Sequence, residues 1–375
     1  MTADVLTDRA LGRATLARQL LLERHVLDPV AAVARLVGLQ AQVPLDPYLA
    51  LWSRLEPFDP HEVGRRLEDR TLVRIVVMRG TIHLVTADDA LVLRPLVQPV
   101  LDAELARHAE FAPALAGVDL APVLAFGRSV MAERPRTGAQ LRAAMTERFP
   151  AHDAAALAYA CRCLLALVQV PPRGVWGRGL QVTLAPLEDW VGRARSGRPS
   201  LDDLLLRYLA AFGPASVADV ATWSRLTGLR EVVERLRPRL RPFRDGRGRE
   251  LFDLPDAPRP DPDTPAPVRI LPEYDNVLLS HSDRSRFGSD EERRMTGAVG
   301  PAKGTVLVDG VVRGVWHVDG TTMVVEHAPL PRRSAATVEV EARRAARFLG
   351  VGPQCSVRLV AVGGQGERRR PSPSR

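Results

Sequence analysis

Apolar and polar positions along the chain follow a rhythm that passes from helical to extended three times over. Leu11, Leu16, Leu20 and Leu21 line one helical face over residues 8–23. Asp28-Pro29, Asp46-Pro47 and Asp59-Pro60 each put a capping carboxylate before a proline. That pairing suits a helix start, since proline at the first position gives up an N–H that has no partner anyway. Helices are therefore predicted through Val30, Val33, Leu36 and Val37, through Leu49, Leu51, Trp52 and Leu55, and through Val63 and Leu67. Gly38 stops the first of these. LVRIVVMRG and TIHLVT then read as two strands meeting at Arg79-Gly80, and Thr86 as the cap of a helix over residues 88–93.

The plan recurs. Residues 118–132, TGAQLRAAMTERF and AAALAYACRCLLALV read as helices, and VQVPPRGVWGRGLQVTLAP as a strand pair with Gly174 near its turn. A third round runs LDDLLLRYLAAFGP, SVADVATWSRLTG and REVVERLRPRL, and ends in a hairpin at Asp245-Gly246. Three helices and a strand pair in this order fit a winged helix. DAPRPDPDTPAP is a proline-rich connector. VRILPEY, NVLLSH and the runs around Asp309-Gly310 and Asp319-Gly320 read as β-rich, followed by a closing helix at 341–349 and a strand in CSVRLVAV. The expected fold is mainly α with β wings. Three tandem winged-helix units (1–110, 111–198 and 199–257) precede a β-rich segment (258–362) and a disordered basic tail (363–375).

Composition narrows the chemistry. The 375 residues carry a net charge of +8, and Lys303 is the only lysine among 52 basic residues. There is no GxxxxGK[ST], hence no P-loop, and a Schiff base would have to use Lys303 or the N-terminus. Three cysteines without a CxxC or HExxH are too few for a disulfide framework or a structural metal site. Cys161 and Cys163 lie in an apolar helical run and read as packing residues. No secretory leader and no membrane-spanning stretch are apparent, so a cytoplasmic location is expected. The arginine excess suits a polyanionic partner, although codon bias alone can produce it.

Just past Gly38 the chain reads Leu39-Gln40-Ala41-Gln42-Val43-Pro44. In an extended segment, residues two apart point to one side, so both amides can meet one water or one sugar oxygen. A polar connector between helices would look the same. GLQAQVP, PYLALWSRL, VVMRGTIHLVTADDA, PPRGVWGRG, DVATWSRLTG and LPEYDNVLLSHSDRSRF, in this order, resemble the bacterial winged-helix DNA glycosylases of the AlkZ and YcaQ type. The resemblance runs from about Leu11 to Val362. Gln40-Ala41-Gln42 places it with the AlkZ-like branch, whose catalytic motif is Gln, an apolar residue and Gln.

The resemblance implies three winged helices forming a concave DNA-binding surface and excision of N7-alkylated purines from double-stranded DNA. Members unhook interstrand crosslinks and often protect a producer from its own alkylating antibiotic. Gln40 and Gln42 would be catalytic, with no metal or organic cofactor, in a monomer working beside the nucleoid. The chemistry agrees. Glutamine is a poor general base, but an N7-alkylguanine is already cationic and leaves as a neutral base. What remains is to place a water and favour an oxocarbenium-like sugar, which amide dipoles can do.

Arg79, Thr81 and His83 alternate on the first wing and would contact phosphate or line the pocket, unless they are ordinary solvated positions. Arg173, Trp176 and Arg178 combine phosphate-binding and stacking groups, with Trp176 equally readable as a core anchor. Tyr274-Asp275-Asn276 and His281-Ser282-Asp283-Arg284 match the family's C-terminal pattern. They read as a polar network fixing the β segment, or as an Asp–His acid–base pair, with Arg284 joining the DNA-binding set. A winged-helix regulator without activity is the other reading of the whole chain.

Overall fold

The computed structural model describes residues 4–194, 199–290, 303–352 and 355–362, so the tail after Val362 lies outside the described residues. The strands in chain order are β1 (Asp4–Leu6), β2 (Leu39–Gln40), β3 (Leu72–Val76), β4 (Ile82–Thr86), β5 (Arg136–Thr137), β6 (Leu167–Gln169) and β7 (Thr183–Pro186). They continue with β8 (Arg241–Asp245), β9 (Glu250–Asp253), β10 (Arg269–Leu271), β11 (Gly304–Val308), β12 (Val311–Asp319), β13 (Thr322–His327) and β14 (Ser356–Ala361). The chain folds as two compact units. One takes the chain up to Thr264 with Tyr274–Arg284, the other Pro265–Glu273 with the chain from Ser285.

In the first unit the expected helix starts form. Asp28 and Asp59 cap Pro29–Arg35 and Pro60–Glu68 through their carboxylates, and Thr86 caps Ala87–Leu96. Thr137 and Gln140 make a reciprocal capping box at the head of Gly138–Arg148. Asp46 is different: the helix Asp46–Trp52 begins at it, and Leu45 holds the cap position without a side-chain bond.

The first two strand pairs merge into one six-stranded sheet, ordered β2-β4-β3-β6-β7-β5. The seam is β3 against β6, with Arg74 opposite Gln169 and Ile75 opposite Val168. Helices Leu201–Phe212, Val217–Ser224 and Leu229–Leu236 bury Leu205, Phe212, Trp223 and Val233 in one core with Val73, Ile75 and Val85 of the first hairpin. The first hairpin is thus clamped between second and third winged helices, which suits a site that must not move. β1 adds in parallel to β8 and extends the third wing.

In the second unit β10 to β13 run antiparallel, and β14 pairs parallel to β13. A parallel pair needs a crossover. Helix Arg332–Phe348 supplies it and buries Val338, Ala342, Ala345 and Ala346.

Two expectations are corrected. NVLLSH is not extended: Asn276–Leu279 is a short helix capped by the Asp275 carboxylate. Three apolar residues in a row carry no period, and the cap decides. The segment Tyr274–Arg284 also belongs to the first unit, where Asp275, Asn276 and Asp283 find partners in Arg54, Gly38 and Arg247.

Candidate functional site

Gly38 lets the chain turn from helix into β2. Its φ is +89°, and a Cβ there would lie 2.6 Å from Val85 Cγ1, so only glycine fits. β2 then pairs antiparallel with β4, Gln40 facing His83. Opposite residues in such a ladder share a face, so the Gln40 side chain rises beside the imidazole. Ala41 N donates to Ile82 O at 2.7 Å, and Arg74 Nη2 donates to Ala41 O at 2.9 Å. Both backbone groups of the residue between the glutamines are therefore claimed. Arg74 reaches that far because Gly174 has no Cβ: one would sit 2.5 Å from Arg74 Cδ.

The first-wing residues converge on Gln40. Arg79, at the hairpin tip with φ +60°, folds back and donates from Nη2 to Gln40 Oε1 at 2.6 Å. Its Nη1 donates to Trp223 O at 3.1 Å, and Nη2 lies 3.4 Å from His83 Nε2. His83 Nδ1 contacts Thr81 O at 2.9 Å. A carbonyl only accepts, so Nδ1 carries the proton and the Nε2 lone pair faces Arg79. Burial, reinforced by the Arg79 charge, pushes the His83 pKa down to about 3. The Arg79 pKa falls to about 10 through burial and the nearby charges of Arg225 and Arg284. Gln42 is exposed, and its Oε1 accepts weakly from Ile82 N at 3.4 Å.

These facts correct the picture of three solvated wing residues. His83 is 1% exposed, Arg79 is half-buried, and the Thr81 hydroxyl turns to Met78 O. Alternation fails at the tip because Met78–Gly80 closes as a tight helical turn. No group of the cluster changes protonation between the His83 and Arg79 values. Any activity resting on these residues is therefore expected to stay flat from about pH 5 to 9. A rate profile across that range checks this; a steep limb near pH 6–7 would place an unrecognised acid or base in the reaction.

Arg173, Trp176 and Arg178 stand on the loop between β6 and β7. Trp176 packs on Tyr48 at 5.0 Å between ring centroids, and Tyr48 Oη donates to Gly174 O at 2.6 Å. This tryptophan anchors the loop to the helix that follows the glutamines. Arg178 pairs with Glu68 at 2.7 Å on the surface, and Arg173 donates to Leu180 O at 3.2 Å. Arg284 is exposed in the first unit. A cleft of about 880 Å³ opens beside the hairpin tip, lined by Arg79, Thr81, Glu104, Arg107, Arg225 and Thr227.

The Asp–His reading is corrected too. His281 Nε2 lies 3.1 Å from Phe212 O and Nδ1 3.0 Å from Ser280 Oγ, while the Asp283 carboxylate takes Arg247 and Arg249. The two side chains are not partners. Their neighbours instead support the glutamine segment. Asn276 Nδ2 donates to Gly38 O at 2.7 Å, and Asp275 accepts twice from Arg54 at 2.8 Å. Sequence reasoning missed Arg54, Arg74, Arg107 and Arg225. A lone charge inside the apolar run LVRIV was the one visible signal, for Arg74.

Among the described residues no three or more His, Cys, Asp or Glu side chains gather to hold a metal, and no helix is long and apolar enough to cross a membrane. Burial pushes the Cys161 thiol up to about 12 and the Cys163 thiol to about 11, as inert packing residues should be.

The chain is similar to an interstrand DNA cross-link repair glycosylase of Streptomyces sahachiroi, with 27% identity covering 90% of this chain and 97% of that protein. The solved structure of the Streptomyces sahachiroi DNA glycosylase AlkZ superposes with a TM-score of 0.75 at 21% identity, covering 95% of this chain and all of that one. The sequence model of the AlkZ-like DNA glycosylases matches residues 33–348. An inactive winged-helix regulator is thereby set aside, and the chain belongs to the AlkZ-like DNA glycosylase family.

Proposed function

We propose that this DNA glycosylase excises purines alkylated at N7, chiefly guanine, and that it accepts bulky adducts and interstrand crosslinks. One observation carries the reading: the groups around the glutamine pair are neutral amides, an imidazole that burial keeps neutral and a guanidinium bonded to Gln40. Such a set cannot protonate a leaving base at working pH. It suits a base that N7 alkylation has already made cationic. The C1′–N9 bond breaks, its electron pair passes into the purine and cancels the charge, and water adds to C1′ with loss of a proton to solvent. Gln40 and Gln42 act together at this step, an amide oxygen of the pair placing the water beside the sugar cation. Arg107, Arg173, Arg178, Arg225 and Arg284 meet phosphates. The room beside the hairpin tip supports the bulky end of the substrate range, as does the crosslink-repair name of the Streptomyces relative.

The test is a duplex carrying one 7-methylguanine. Free 7-methylguanine should appear while the strand stays intact until alkali or heat breaks it. Borohydride should trap no protein–DNA adduct, because Lys303 lies in the other unit with Nζ on both Glu326 oxygens, at 2.7 and 2.9 Å. An intact lesion under enzyme excess, with another lesion class removed, would overturn the substrate assignment. A trapped adduct lost with Lys303→Ala would overturn the mechanism.

A further inference from the structure

We propose that Arg79 does not grip DNA but is a positioning residue that holds the Gln40 amide with its oxygen inward and its NH2 toward the substrate, so that Gln40 donates while Gln42 accepts. The inference rests on the proposed excision reaction and divides the labour of its two glutamines.

The orientation follows from the chemistry of the partners. A guanidinium only donates, so the Gln40 atom 2.6 Å from Arg79 Nη2 is the carbonyl oxygen. The bond is charge-assisted and short, and it takes one of that oxygen's two lone pairs and fixes the amide's orientation. The amide NH2 is what remains, and no described residue accepts from it. Gln42 is the opposite case: among the described residues its oxygen has one long contact, 3.4 Å from Ile82 N, and its side chain is exposed. A matched pair of water-holding oxygens is therefore not what the fold presents. A donor and an acceptor stand two residues apart: the donor for the electron-rich edge of the departing purine, the acceptor for the attacking water.

Arg79 is built for this role. Arg79 takes a φ of +60°, a strained conformation for a residue with a Cβ, and this turns the side chain back along its own hairpin. Three acceptors then fill the guanidinium fork from one side: Gln40 Oε1, His83 Nε2 and Trp223 O. The Trp223 carbonyl ends helix Val217–Ser224, where such groups lack helical partners. His83 supplies a lone pair because Thr81 O holds its proton on the other nitrogen. A phosphate-binding arginine would instead point its fork at solvent. Arg225 and Arg284, whose charges act on Arg79, are both exposed.

The experiment combines kinetics and spectroscopy on the full chain. In Arg79→Met, the single-turnover excision rate should fall about tenfold or more, while affinity for undamaged duplex changes less than about threefold. Arg79→Lys keeps the charge but not the fork, and should lose rate similarly. In a Gln40→Ala background, Arg79→Met should cost less than about threefold further, whereas with Gln42→Ala the losses should multiply. The Gln40 side-chain amide NMR signal, identified by its loss in Gln40→Ala, should shift in Arg79→Met and Arg79→Lys. In the wild type it should stay in place when undamaged duplex is added. A retained rate with binding weakened tenfold or more, or a DNA-induced move of that signal to its Arg79→Met position, would make Arg79 a phosphate contact and overturn the proposal. If the wild type releases no 7-methylguanine, the substrate reading fails while the amide signal still decides. A signal unmoved by either substitution then overturns the positioning role. Arg79→Lys serves if Arg79→Met does not fold.

Discussion

Gln42→Ala is expected to slow single-turnover excision of 7-methylguanine by one to two powers of ten, about 1.4–2.7 kcal/mol, with duplex affinity and folding nearly unchanged. The expectation comes from where the side chain stands. It is exposed at the open end of β2, and among the described residues its one polar contact is the long one to Ile82 N. Removing it takes little from the fold, since Ala41 is pinned separately by Arg74 and Ile82. What goes is a preorganised acceptor for the water, which matters more in the transition state than in the bound ground state, so rate falls and binding does not. Gln42→Asp should keep or raise the rate, because a carboxylate holds the same water and adds a negative charge beside the sugar cation. Rates under enzyme excess, with circular dichroism as a folding control, check both. A wild-type rate in folded Gln42→Ala would leave Gln42 without a role in the reaction.

The largest expected effect on stability comes from Asp275. Asp275→Ala should destabilise the protein by about 3–5 kcal/mol, since removing one partner leaves the other a buried, uncompensated charge. Arg54 and Asp275 are both fully buried, and the fork is bidentate. The remaining Arg54 donors go to Gln19 O at 2.9 Å and Ala50 O at 2.9 Å, so without Asp275 the guanidinium cannot swing out to water without breaking these two bonds. A fall of roughly 6–20 °C in melting temperature follows for a domain of this size. Arg54→Met with Asp275→Leu should cost less than either single change, because an apolar pair leaves no charge behind. The next residue, Asn276, holds Gly38 O, so Asp275→Ala should also lower the excision rate at temperatures where the protein is still folded. A melting point within a degree of wild type would show that water reaches the pair.

The sequence by itself determined the local starts and stops. Asp-Pro caps, the Thr137–Gln140 capping box and the Asp-Gly turns act through bonds among neighbouring residues, so the order of helices and wings is legible from the chain. It also determined that the glutamines lie two apart beside a helix stop, since Gly38 is required by its own backbone angle. Tertiary structure decided everything that depends on a partner distant in sequence. Merging the first two wings into one sheet needs β3 beside β6, about a hundred residues away. The parallel addition of β1 to β8 joins segments more than two hundred residues apart. The segment Tyr274–Arg284 reads as β-rich until Asp275 caps it as a helix and Arg54 buries its carboxylate in the first unit. Most of all, a hairpin arginine reads as a phosphate contact in any sequence. Only the tertiary structure brings Gln40, His83 and the Trp223 carbonyl together around Arg79. A side chain's direction is set by the acceptors within reach of its donors, and those acceptors come from three separate parts of the chain.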